Sequence, residues 1–165
     1  MRSPHILKAA GNPRRLRDNL VAIIDASALA AIDAAIADNV RGLFHLGRSH
    51  FDFARATVAA QWRQKVSRFY YSAYAISRAV RLDHDGHYST DVKDHSKIDE
   101  LPTSFPKVER YKNQLGTLRD DRNLADYDHS AEEIDLVISV ADADSLIAEF
   151  LADATAFLSS RGVAV

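Results

Sequence analysis

Residues 66–80 read VSRFYYSAYAISRAV. Small residues alternate with aromatics, and Val66, Tyr70, Ala73, Ser77 and Val80 recur at intervals of three and four. That spacing belongs to a helix, whose 3.6-residue turn brings every third or fourth side chain to one face. The stripe extends backward through Trp62, Val58 and Ala54, and Ser49 followed by Asp52 has the form of a capping box. One long helix is therefore expected over residues 50–82. Its small residues let another helix approach closely, which makes this run core first and ligand surface second.

The flanking segments carry the same period. Asn12-Pro13 pairs an N-cap with a first-turn proline, whose missing N–H would be unpaired anyway. Leu16, Leu20, Ile23 and Ile24, then Leu29, Ile32, Ile36, Val40 and Leu43, place one helix or two over residues 13–46, with Ser27 as the break and Gly42 and Gly47 weakening the end. Residues 83–104 are polar and predict a mobile, hydrated surface loop with one short helix inside. Phe105-Pro106 opens a further helix along Val108, Tyr111, Leu115, Leu118 and Ala125. Ser130 and Glu133 form a second capping-box pattern, so a last helix is expected from about residue 131, burying Ile134, Val137, Ile138, Ala141, Ile147, Leu151, Ala154 and Leu158. Period-two alternation is absent. The expected fold is all-α, a bundle of four or five helices.

At 165 residues the chain suits one domain over 1–165. It has no cysteine, which excludes disulfides and thiolate metal sites. Its longest apolar stretches carry aspartates and its N-terminal residues are polar, so a cytoplasmic protein with no membrane span is expected. Charge is divided: residues 1–82 hold 13 Lys/Arg against 5 Asp/Glu, and residues 83–165 hold 8 against 18. The division predicts two halves of a bundle that attract each other; a basic face for phosphates is the other reading. Arg41, Arg48 and Arg55 recur every seven residues, but the glycine and cap at 47–49 are expected to interrupt the helix that would align them.

Phosphate-binding glycine loops, serine-hydrolase patterns and zincin patterns are all absent from the sequence. Asp83, His84, Asp85, His87, Asp91, Asp94 and His95 offer metal-ligand chemistry, but the His84-x-x-His87 pair in a loop lacks the fixed i,i+4 geometry of a helical ligand pair, and no metal is assigned. The other polar concentration is LRDDRNLADYDHS, residues 118–130. Arg122 and Asp126 stand four apart on a helix, and His129 lies seven past Arg122, near the same azimuth. An imidazole that titrates near neutrality and a permanently charged guanidinium suit metal-free cleavage of RNA by its own 2′-hydroxyl. The same spacing also fits a plain helix-end ion pair with a capping histidine.

Together, the RFYYSAYAISRAV run, the polar loop and the helix ending in RNLADYDH resemble the HEPN superfamily over roughly residues 30–160. In that family an arginine, four to six residues and a histidine form the signature, which Arg122, Asn123 and His129 match. The resemblance implies an up-and-down four-helix bundle with an extra N-terminal helix, working as a homodimer. Two Arg–His motifs would face each other across the dimer as a metal-independent endoribonuclease without a cofactor, toxin-like or related to phage defence, beside a nucleotidyltransferase-type antitoxin. Arg122 would polarise the scissile phosphate of RNA, His129 would act as acid or base, and Asn123 would orient the site. Members with an ADYD segment and no histidine imply instead a non-catalytic module that binds a nucleotide, a nucleic acid or a partner protein. There Asp126 pairs with Arg122, and Tyr127 packs against the bundle.

Overall fold

The computed structural model describes residues 11–89 and 91–165; what the sequence suggests for residues 1–10 lies outside them. The chain is all-α: α1 (Pro13–Leu20), α2 (Ala26–Ala56), α3 (Trp62–Asp85), α4 (Val108–Tyr127) and α5 (Val140–Ser160), with 3-10 turns at Val92–Lys97 and Glu133–Asp135. No strand occurs among the described residues. The N-terminal pattern resolves into two helices. Asn12 Oδ1 caps the first by accepting from Arg15 N (2.9 Å), and Asp25 Oδ1 caps the second from Ala28 N (2.8 Å), two residues before the expected break at Ser27.

The expected start of a helix at Ser49 is wrong. α2 runs unbroken through residues 47–49, and the chain turns at 57–61 instead. Gly47 is a contact residue, not a helix end: a Cβ there would lie 2.7 Å from Ile76 Cγ1 and 2.9 Å from the Ser72 carbonyl oxygen. The real end is marked by side chains reaching back to free carbonyls. Thr57 Oγ1 donates to Phe53 O (2.9 Å), and Lys65 Nζ donates to Ala54 O (2.9 Å) and Thr57 O (3.1 Å). Arg41, Arg48 and Arg55 therefore do share one helix. Arg41 is paired with Asp38 and Arg55 with Asp144, so two of the three are already neutralised within the chain.

α3 is the centre of the bundle. α2 lies antiparallel to it, Phe51 against Phe69 and His50 beside Tyr71. α4 also runs antiparallel, with Tyr71 by Arg122 and Arg63 by Ala125. α5 closes the core through Phe150 against Tyr111 and Phe157 against Phe105. The two charge halves attract as expected, through Arg14–Asp83, Arg55–Asp144 and Arg81–Asp94.

Two further expectations are corrected. The last helix begins at Val140, capped by Ser139 Oγ on Asp142 N (3.1 Å), not near 131. Ser130 turns to Asp128 instead of capping a helix, and Glu132 with Asp135 caps a separate 3-10 turn. Ile134 (87% exposed) and Val137 (79%) consequently lie outside the core. The 83–104 segment is not simply a hydrated loop either, because Asp94, Ile98 and Leu101 are buried.

Gly47→Ala should lower stability to chemical denaturation by about 1–3 kcal/mol, because backbone as well as side chain must move to admit the methyl. Gly42→Ala meets nothing within 4 Å, so it should be neutral or stabilising by up to about 1 kcal/mol. Equal effects at both positions would contradict the close approach at Gly47.

Candidate functional site

α4 ends in the polar stretch singled out in the sequence, and each of its charged residues has a definite position. Asp121 is buried and accepts from Val137 N (2.9 Å) and Ile138 N (2.8 Å), so it anchors the far end of the 128–139 connection. Arg63, on the first turn of α3, holds the near end. Its guanidinium donates to the carbonyls of Ala125 (2.7 Å), Asp128 (2.7 Å) and Ala131 (2.5 Å), with His129 O at 3.5 Å. A helix C-terminus leaves such carbonyls without partners, and a fixed cation there both satisfies them and meets the negative end of the helix dipole.

Arg122 projects from the last turns of α4 into a group of tyrosines. Nη2 donates to Tyr71 Oη (2.8 Å), and Nη1 donates to Asn123 Oδ1 (3.1 Å) and Tyr127 Oη (3.4 Å). Nε lies 2.8 Å from Asp126 Oδ2, an ion pair by distance in which the N–H is not aimed for a hydrogen bond. The guanidinium also sits 5.3–5.4 Å from the ring centres of Tyr70, Tyr71 and Tyr127. Burial works against its charge, and Asp126, Tyr71 and Tyr127 together more than compensate.

The structure thus brings Arg122, Asn123, Asp126 and Tyr127 together and leaves His129 apart. α4 stops at Tyr127 and Asp128 is extended, so the shared azimuth expected for His129 is lost. Its carbonyl turns to Arg63, and its exposed imidazole makes no hydrogen bond, ion pair or ring contact among the described residues. Tyr127 is 74% exposed and touches Arg122, so it does not pack against the bundle as the ADYD-type reading expects.

Two histidines that sequence spacing did not connect to Arg122 are its neighbours through tyrosines. Tyr70 Oη lies 2.9 Å from His95 Nδ1, and His95 stacks on Tyr74 at 4.2 Å. His50 faces the Tyr71 ring at 5.8 Å. Burial pushes Tyr70 up to about 12, and burial with the nearby Arg122 charge holds His95 below the ordinary imidazole value. Tyr70 Oη and His95 Nδ1 thus share one hydrogen bond inside the site. Burial, with Arg68 adding repulsion, lowers His50 likewise. The period of α3 did mark Tyr70, but no local spacing links it to residue 95 or 122.

Among the described residues, the loop carboxylates and imidazoles that offer metal-ligand chemistry meet at most in pairs, such as His87 Nε2 at 3.4 Å from Asp94 Oδ1. Asp83 is held by Arg14 and Arg161; Asp94 (2% exposed) is held by Arg81, Arg78 and Tyr74 Oη. Burial alone would raise Asp94; hydrogen bonds from Arg81 and Tyr74, with the charges of Arg81 and Arg78, together outweigh it and keep this carboxyl below the usual range. No group of three or more His, Asp or Glu is placed to hold a metal ion among the described residues. Nor is any helix among them long and apolar enough to cross a membrane. Comparison of the chain with protein-family models, with curated proteins and with solved structures gives no match.

His50 and His95 fix the sign of one pH effect. Unfolded imidazoles take up protons near pH 6.5, whereas these two resist protonation in the folded chain. Their contribution to stability is full above that pH and is lost as pH falls through it toward the lower folded values. The urea midpoint should drop between about pH 7.5 and about pH 5.5, less steeply in His95→Gln. The depressed Asp94 acts only at lower pH, near and below about 4. A midpoint that is flat over this range, or rises toward acid, would contradict the assignment.

Proposed function

We propose that this protein is a metal-independent endoribonuclease of HEPN type, using Arg122 and His129 at the interface of a homodimer. The observation that carries the reading is the way Arg122 is held. Tyr71 accepts from Nη2 and the Asp126 carboxylate lies 2.8 Å from Nε, while Nη1 keeps only the longer bonds to Asn123 and Tyr127. A phosphate oxygen can take the place of those two longer bonds without disturbing Tyr71 or Asp126. A preset guanidinium of this kind stabilises charge as it develops on phosphorus.

His129 follows on a connection held at both ends by Arg63 and Asp121, with its imidazole open to solvent. Tyr127, Ile134 and Val137, on the same stretch of chain, are exposed, which suits contact with a second copy of the chain. One protomer's His129 then takes the proton of the 2′-hydroxyl as that oxygen attacks phosphorus. Its counterpart delivers a proton to the departing 5′-oxygen. The products are a 2′,3′-cyclic phosphate and a 5′-hydroxyl, and Arg122 balances the extra negative charge between them. The helical-bundle class agrees with this reading, and a nucleotidyltransferase-type antitoxin would be its natural counterpart.

A second reading rests on the same arginine. Every nitrogen of Arg122 has a neighbour within its own chain, and His129 stands apart from it. A non-catalytic module binding a nucleotide, nucleic acid or partner protein needs no more than that. Substitution separates the two.

His129→Ala should abolish cleavage of single-stranded RNA while leaving helix content and dimer mass unchanged. Arg122→Lys should also fail, since one ammonium does not reproduce a planar two-pronged grip. Asp126→Asn should lower stability by no more than about 1 kcal/mol. Cleavage should survive a chelator, and light scattering should give twice the 18.3 kDa chain mass. Wild-type rates in His129→Ala would leave the binding module as the surviving reading.

A further inference from the structure

A second feature lies on the other side of Asp126 from Arg122. Phe53, Arg63, Gln64, Ser67, Arg68, Ala125 and Asp126 line a cleft of about 350 Å³ between α2, α3 and the end of α4. That volume is at the lower end of the roughly 300–1,000 Å³ typical of small-ligand sites. Phe53 is 56% exposed, although its neighbours along α2, Phe44 and Phe51, are buried. Burial therefore does not account for an aromatic at this position.

Arg68 lies over that ring, its guanidinium carbon 5.2 Å from the centroid. It forms no ion pair among the described residues, and its polar neighbour is His50 Nδ1 at a long 3.4 Å. The second cation of the cleft, Arg63, is committed to the carbonyls that end α4. A larger cavity, about 460 Å³ near α1, offers a contrast. Its three arginines, Arg14, Arg17 and Arg161, each already hold an aspartate. Arg68 is thus a cation left unneutralised beside an exposed aromatic face. Gln64 and Ser67 border it with groups able to hydrogen-bond a base edge.

We infer that this cleft is a nucleotide subsite for single-stranded RNA: a base stacks on Phe53 and the adjoining backbone phosphate meets Arg68. Aromatic faces interleaved with arginines are how proteins track unpaired strands, because every base has a π-face and every step a phosphate. Asp126 belongs to both places, lining the cleft while pairing with Arg122. The strand would therefore run from the cleft across Asp126 to the phosphate at Arg122. The inference rests on the RNA reading above and adds where the neighbouring nucleotide lies.

The test uses the full chain and an uncleavable 2′-O-methyl single strand of about ten nucleotides, followed by fluorescence anisotropy. Phe53→Ala and Arg68→Gln should each weaken binding about tenfold, Phe53→Trp should restore it, and a duplex of equal length should bind less well. Gly42→Ala, which lies outside the cleft, should bind the probe as the wild type does. Helix content of each variant shows that the chain still folds. Unchanged affinity in Phe53→Ala or Arg68→Gln, equal affinity for the duplex, or no binding by the wild type would each overturn the subsite. These outcomes are separate from the ribonuclease reading, which stands or falls on cleavage by His129→Ala.

Discussion

A helix surrounded by other helices has no solvent to turn its polar side chains toward, and α3 carries many of them. Ser77, Arg81 and Asp83 are all buried on it, with Tyr70 and Tyr74. Each must find its partner within the protein or bear the full penalty of desolvation. Ser77 donates to Ile98 O, Arg81 to Asp94 and Lys97 O, and Tyr74 to Asp94. These bonds draw the 83–104 segment down onto the helix, and Asp83 draws in Arg14 and Arg161 from two other elements. The arrangement of the bundle is thus dictated as much by the polar groups of its central helix as by its apolar ones.

This explains which features could be read from sequence. Periodicity reports which face of a helix is apolar, and it placed the helical class, the core face of α3 and the i,i+4 pairing of Arg122 with Asp126. It says nothing about what lies opposite. Gly47 looked like a helix end because propensity counts the missing side chain and not the neighbour that needs the space. Ser130 looked like a cap because the pattern matched, yet Asp128 two residues earlier takes its hydroxyl. Ile134 and Val137 kept helical spacing in a stretch whose path is set by Asp121, a residue of another element. The loop carboxylates read as hydrated because their cations lie far along the chain.

The candidate site was visible in part for the same reason. Arg122, Asn123, Asp126 and Tyr127 are local neighbours, so a short motif contains them. Tyr70, Tyr71, His95 and His50 reach the arginine only through packing of α2, α3 and the 3-10 turn. What they supply is an environment. Three aromatic rings and one carboxylate surround the guanidinium where water would otherwise be, keeping its charge while limiting its motion.

Asp83 also bears on the order in which the chain can complete itself. Its carboxylate receives Arg14 from 69 residues earlier and Arg161 from 78 residues later. A chain emerging from the ribosome can lay α1 and α2 along α3 while this anion still has only its first partner. The second arrives only when the whole of α5 has been made, because Arg161 follows its last residue, Ser160. Until then the helix end at Asp83 retains a reason to stay wet, and the C-cap of α5 serves as a latch that seals the bundle late.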